Sequence, residues 1–161
     1  MSKSKSGISS NDDVTSVSDI EIDQDNKANL TVINTNARSL CPKMSSLIDC
    51  FSDLTASLGV VTETWLTDGE GLDEDVEDLA LGAGIRMICK NREVNNRGFS
   101  HGGVAILFRE AAMVLKEVKL HNPSKIEVVM AAGSVKGCPR RIAVIACYIC
   151  LLYTSPSPRD S

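Results

Sequence analysis

The sequence is poor in aromatic and imidazole side chains, with one Trp, two Tyr, three Phe and two His. A lone tryptophan, Trp65, does not make a base-stacking surface, and we read it as a core or loop-anchoring residue. His101 and His121 stand in no ligand pattern, so the C-x-x-C of Cys147 and Cys150 lacks the second ligand pair that a zinc site needs. No apolar run approaches the roughly 18 residues that cross a membrane as a helix. The N-terminus has no continuous apolar segment of the kind that directs secretion, which makes an intracellular, non-secreted protein the default expectation and reduced thiols the expected state of the six cysteines. There is also no excess of positive charge. The net charge is −4, a poor electrostatic footprint for a nucleic-acid binder.

What is present is 161 residues of ordinary hydrophobic fraction, enough for one domain, or for part of one in folds that run to about 200–250 residues. Residues 1–28 hold Lys3, Lys5 and Lys27 against Asp12, Asp13, Asp19, Glu21, Asp23 and Asp25. This Ser-, Asp- and Asn-rich stretch cannot bury enough apolar surface to offset its ordering entropy, and we expect a disordered leader. The remaining body is near neutral. Its acids crowd into Asp68 to Asp78 and its bases into Ile85 to Arg97, each read as a solvated face.

LTVIN, from Leu30, reads as a short strand that ends in the polar loop NTNARS. After Pro42, a residue suited to a first helical turn, Leu47, Phe51, Leu54 and Leu58 recur at steps of four, three and four, the stripe of an amphipathic helix. GVVTET then forms a second strand of the buried type, and the order strand, helix, strand predicts a parallel pair. IRMICKN, GVAILFR, MVLKEVKL, KIEVVMAAG and RIAVIACYI follow as five strand-like runs separated by turn signals, a rhythm that favours antiparallel pairing. The expectation is a mixed, largely antiparallel sheet with flanking helices, forming one layer of a sandwich. LLYTSPSPRDS breaks this grammar. It has the composition of a disordered terminus and resembles translated adapter sequence, so residues 150–161 are expected to be foreign to the domain and Cys150 an accident.

Three expected strand ends carry polar groups: Asn36, Glu63 and Tyr148. Ligands collect outside the carboxyl ends of strands in open α/β sheets, although a polar residue at such a place is solvated more often than catalytic. Gly102 and Gly103 read as turn residues rather than a phosphate cradle because no helix follows them, and His101 as part of the hairpin that positions GVAIL.

NTNARSL, VTETWL, HGGVAILF and VIACYI occur in the order and approximate spacing of the endonuclease/exonuclease/phosphatase superfamily. Over Leu30 to Ile149 the sequence resembles, within it, the endonuclease domains of non-LTR retrotransposons, which are similar to apurinic/apyrimidinic endonucleases. The resemblance implies the α+β sandwich of that superfamily and a domain spanning 29–149. It implies Mg²⁺ bound by Glu63, with Mn²⁺ able to replace it, Asn36 hydrogen-bonded at the scissile phosphate, and Tyr148 directing its phenol to the phosphate. Arg38 is a weaker candidate for a substrate contact. DNA is the implied partner of the full-length parent, and the nucleus its implied location. The oligomeric state stays open.

The resemblance stops short of the whole pattern. Family members continue to a Gly-Asp-x-Asn block and a Ser-Asp-His block that supply the activating acid and a histidine, and neither occurs in this sequence. The expectation is therefore roughly the first half of a domain, inactive by itself, with an apolar face left uncovered and poor solubility as a consequence. Two alternatives stand beside it: a phosphatase of the same superfamily, and a non-catalytic interaction module or remnant.

Overall fold

A computed structural model describes residues 30–67, 72–91, 102–120 and 126–149, with the side chains of 72–74 left aside. The expected leader over 1–28 and tail over 150–161 lie outside the described residues, as do His101, His121 and Cys150. Among the described residues no helix is long and apolar enough to cross a membrane.

The first strand, β1 (Val32–Asn36), is followed by a short 3₁₀ turn over Cys41–Lys43 that carries Pro42 and runs into helix α1 (Met44–Asp53). Proline fits there because the first turn of a helix has no use for its missing N–H. Met44, Leu47 and Phe51 form the buried stripe of α1. The expected stripe ran further, to Leu54 and Leu58, and the structure corrects this. Leu54 caps the helix and is 56% exposed, while Leu58 opens strand β2 (Leu58–Thr62) and packs in a different core. The reason lies in the helix end. Thr55 takes a left-handed backbone (φ 50°), its N–H donates to Ser52 O, and Ala56 N–H donates to Phe51 O, the reciprocal pair that terminates a helix.

β1 and β2 pair in parallel across the α1 crossover, as expected from their order. Part of the acid-rich stretch lies in helix α2 (Leu72–Gly82), which was not expected; its Val76 and Ala80 are buried, while Asp75, Glu77 and Asp78 face out as a solvated face. The five strand-like runs are all strands: β3 (Ile85–Lys90), β4 (Val104–Arg109), β5 (Met113–Val118), β6 (Glu127–Val135) and β7 (Arg141–Tyr148). They do not all join one sheet. The first, mixed sheet has the order β1-β2-β4-β3, and β5-β6-β7 form a separate antiparallel sheet.

Two cores define the layers. α1 and α2 cover one face of the mixed sheet through Met44, Leu47, Phe51, Val76 and Ala80, packed with Val61, Ile85, Ala105 and Leu107. Its other face, through Leu58, Val104, Ile106 and Phe108, meets Met113, Leu115, Val129, Ala131 and Ala146 of the second sheet. The inter-sheet core is thus built within this chain. That differs from the expectation of a face of the sheet left uncovered. Exposed apolar side chains among the described residues include Val114 (52%) and Ile145 (61%) on the far face of the second sheet, along with Leu54, Leu79 and Leu81 near the helices.

Phe51 is wholly buried under the mixed sheet, so Phe51→Ala is expected to cost about 3–5 kcal/mol in urea unfolding. Leu54→Ala, on the exposed cap, is expected to cost about 0.5 kcal/mol or less. Equal losses would show that the helix extends past Asp53.

Candidate functional site

The carboxyl ends of β1 and β2 lie side by side, with Asn36 paired to Thr62. Beyond them the NARSL loop runs along the ETW segment: Ala37 N–H donates to Thr62 O (2.9 Å), Ser39 N–H to Glu63 O (3.0 Å) and Leu40 N–H to Thr64 O (2.8 Å). These bonds prolong the parallel ladder past both strands and fix Asn36 beside Glu63. Asn36 is exposed, and its Oδ1 accepts from Arg38 N–H (3.2 Å) in a local Asx turn, the usual partnership of an asparagine with the backbone two residues on. Because the carbonyl end is engaged in this turn, the amide NH₂ is the end directed to other partners.

Arg38 and Ser39 hold left-handed backbone (φ 44° and 82°), and Lys43 Nζ steadies the bend by donating to Ala37 O and to Arg38 O. Arg38 itself is exposed. The structure therefore leaves it at the rim of the loop, with its backbone rather than its guanidinium joined to the site.

Glu63 answers to a residue 85 positions away. Tyr148, the last residue of β7, donates its hydroxyl to Glu63 Oε1 at 2.8 Å in a partly buried contact. The ring reaches this point because it lies on the inward face of β7 with Val144 and Ala146, packed against the inter-sheet core. One hydrogen bond thus joins the candidate group on the mixed sheet to the candidate group on the second sheet. Such a link across sheets is absent from any local pattern.

The backbone of the segment is strained around that carboxylate. Glu63 and Trp65 both hold positive φ (53° and 55°), a region that non-glycine residues occupy at a cost of about 1–3 kcal/mol and only where the surroundings fix it. The fixing partner is the turn before β4. Thr64 N–H donates to Gly103 O (3.3 Å) and Trp65 N–H to Gly102 O (2.8 Å). Both glycines have positive φ (117° and 85°), and a Cβ at Gly103 would lie 2.3 Å from Thr64 Oγ1. Read from sequence as plain turn residues, they are the platform on which the ETW segment rests.

Sequence reasoning missed Glu127. It opens β6 directly across from Tyr148 in the β6–β7 register, and its Oε2 accepts from Gly103 N–H. The signal was available in the alternation of KIEVVMA, where Glu127 shares the inward parity of Val129 and Ala131. A carboxylate at an inward position is an anomaly that calls for a partner.

As a donor set for an ion, the site offers the hard oxygens of Glu63 in a half-buried position beside an exposed amide. Among the described residues, no group of three or more His, Cys, Asp or Glu stands together. One carboxylate with phosphate oxygens and water suits Mg²⁺, which sheds its hydration reluctantly, and does not suit a protein-enclosed zinc or calcium site.

No protein-family profile matches the sequence, and no curated protein does. Ten chains of solved structures match, among them the following three. The human Nocturnin catalytic domain with bound sulfate anion superposes with a TM-score of 0.51 at 11% identity, covering 73% of this chain and 48% of that one. The endonuclease domain of TRAS1, a telomere-specific non-LTR retrotransposon, gives 0.44 at 12%, covering 74% and 46%. Humanized D. rerio TDP2 gives 0.45 at 11%, covering 73% and 49%. The chain spans about half the length of each structure it matches. The Nocturnin likeness is one of fold: over the part covered, this chain shares the mixed α+β architecture of that catalytic domain.

Two measurements test the local account. In a double-mutant cycle, Glu63→Ala and Tyr148→Phe are expected to couple by roughly 1–2 kcal/mol in urea unfolding, and additivity within about 0.3 kcal/mol would disprove the bond. Thr64 is wholly buried, and its Oγ1 has no hydrogen-bond partner among the described residues. Thr64→Val keeps the shape and removes the unsatisfied hydroxyl, so it is expected to raise the stability by about 1 kcal/mol, and a loss of that size would reveal a partner.

Proposed function

We propose that this chain is the N-terminal part of a Mg²⁺-dependent phosphodiesterase whose parent activity is the nicking of DNA by a non-LTR retrotransposon. The observation that carries the reading is the meeting of Glu63 and Tyr148 at strand ends beside Asn36. These are the positions at which the NTNARSL, VTETWL and VIACYI blocks resemble that group's site, in a chain with the corresponding fold. DNA is the partner this reading assigns to the parent, and the nucleus its location.

Each residue has a role suited to its chemistry. Glu63 supplies the anionic oxygen ligand, and its orientation is held by the Tyr148 hydroxyl. When bound, the ion acts as a Lewis acid on the phosphoryl oxygen and stabilises the leaving alkoxide. Asn36, with its carbonyl end turned to Arg38 N–H, has its NH₂ to donate to a phosphate oxygen without bringing negative charge. Tyr148 has a single O–H, so its phenol would serve the same phosphate only by giving up the bond to Glu63. Arg38, exposed on the loop, serves at most as a peripheral contact to the nucleic-acid backbone.

The residues that activate water are the part this chain does not carry, since it has neither a Gly-Asp-x-Asn nor a Ser-Asp-His block. General acid and base assistance is worth about 10²–10⁴ in rate, so the chain by itself binds metal without cleaving. Mn²⁺ titration followed by electron paramagnetic resonance, combined with a supercoiled-plasmid assay, tests this. The expected result is Mn²⁺ binding that Glu63→Gln abolishes, no nicking by the chain, and nicking by a longer product of the same transcript that encodes both blocks. Binding indifferent to Glu63→Gln would overturn the metal assignment. Nicking by the 161-residue chain would overturn its inactivity.

A further inference from the structure

We propose that Glu127 is a positioning residue for Glu63, acting through the Gly102–Gly103 turn. Its value to function rests on the reading of Glu63 as the metal-binding group, while the structural linkage stands independently of that reading.

The linkage runs through two consecutive sets of contacts. Glu127 lies at the start of β6 on the inward parity of Val129 and Ala131, half-buried, where a carboxylate must be paired to be tolerated. It accepts from Gly103 N–H. The carbonyls of the same turn, Gly102 O and Gly103 O, accept from Trp65 N–H and Thr64 N–H, the two amides that follow Glu63. The turn is therefore gripped on one side by a carboxylate of the second sheet and on the other by the segment that presents the candidate ligand. Glu63 and Trp65 are the two residues of that segment in left-handed backbone, a conformation that persists only when neighbours impose it.

The turn is close to both neighbours. A Cβ at Gly102 would stand 2.6 Å from both carboxylate oxygens of Glu127, and one at Gly103 would stand 2.3 Å from Thr64 Oγ1, so a side chain at either position would displace Glu127 or Thr64. A second route converges on the same group. Glu127 pairs across β6–β7 with Tyr148, whose hydroxyl donates to Glu63 Oε1. Glu127 thus stands next to both supports of Glu63: the turn that holds its backbone and the tyrosine that holds its carboxylate. Partners of this kind that orient a metal-binding side chain from behind typically alter metal affinity by about 10–100-fold.

Amide hydrogen exchange of the metal-free, ¹⁵N-labelled chain, followed by NMR, tests the linkage without reference to activity. Glu127→Ala is expected to raise exchange at Gly103, Thr64 and Trp65 roughly tenfold relative to the amides of β5, and Glu127→Gln to keep most of the protection because its amide oxygen still accepts from Gly103 N–H. Val129→Ala, a core truncation on the same strand, is expected to raise exchange across the inter-sheet core without singling out those three amides. In Mn²⁺ titrations, Glu127→Ala is expected to weaken binding about tenfold and Glu127→Gln far less. Unchanged protection of Thr64 and Trp65 in Glu127→Ala, or a loss no larger than in Val129→Ala, overturns the proposal. Equal loss of Mn²⁺ affinity in Glu127→Ala and Glu127→Gln also overturns it, by making Glu127 itself a ligand. If the unaltered chain takes no Mn²⁺ through Glu63, the metal reading fails while the exchange measurement still decides the linkage. Should Glu127→Ala not fold, Glu127→Asp, shorter by one methylene, carries the same comparison.

Discussion

The arrangement depends on one constraint: β4 must be covered on both faces. Val104 to Phe108 are all buried, so successive side chains enter opposite cores, with Ala105 and Leu107 under the helices and Val104, Ile106 and Phe108 against the second sheet. A strand of this kind is stable only between two layers, and its burial sets the positions of α1 and α2 on one side and of β5–β7 on the other. The candidate site is built at its entrance. The Gly102–Gly103 turn that leads into β4 receives the amides of Thr64 and Trp65, so the segment bearing Glu63 is referenced to the best-buried strand of the chain.

This explains why the polar groups converge where they do. β2 and β4 are antiparallel neighbours, so the carboxyl end of β2 meets the start of β4. β1 is parallel to β2, which brings Asn36 to the same end. β7 reaches that end from the other sheet with Tyr148, and β6, antiparallel to it, begins there with Glu127. Four strands thus bring these groups to one end of the fold, through the parallel β1–β2 pair and the antiparallel β2–β4 and β6–β7 pairs.

Much of the fold was legible because its signals are local. Apolar runs bounded by turn residues located all seven strands, and the strand–helix–strand order identified the parallel pair. What failed was also physical. The four-three-four spacing of Leu47, Phe51, Leu54 and Leu58 fits a helix, but a left-handed Thr55 ends α1 first, and nothing in the side chain of threonine announces that conformation. α2 was hidden by its charge: with Val76 and Ala80 as its described inward side chains, acids occupy its outer face and dominate the composition. The division into two sheets was illegible because pairing partners are a property of register. For the site, Asn36, Glu63 and Tyr148 could be named as strand ends and by resemblance, yet the contact that joins Tyr148 to Glu63 spans 85 positions and two sheets. Glu127 left a local trace, a charged residue on the inward parity of a strand, which acquires meaning only once Gly103 N–H is known to face it.

A site divided between two sheets ties its geometry to the core between them. Asn36 and Glu63 are carried by the mixed sheet, Tyr148 and Glu127 by the other, and any sliding of one sheet over the other would alter the Tyr148–Glu63 distance directly. The chain resists such sliding through Met113, Leu115, Val129, Ala131 and Ala146, which interdigitate with Leu58, Val104, Ile106 and Phe108. Because both sides of that interface lie within these 161 residues, the relation of Glu63 to Tyr148 is maintained by packing that this chain supplies itself. The contact between these two candidate groups is therefore organised among the described residues themselves, by the core that β4 shares with the second sheet.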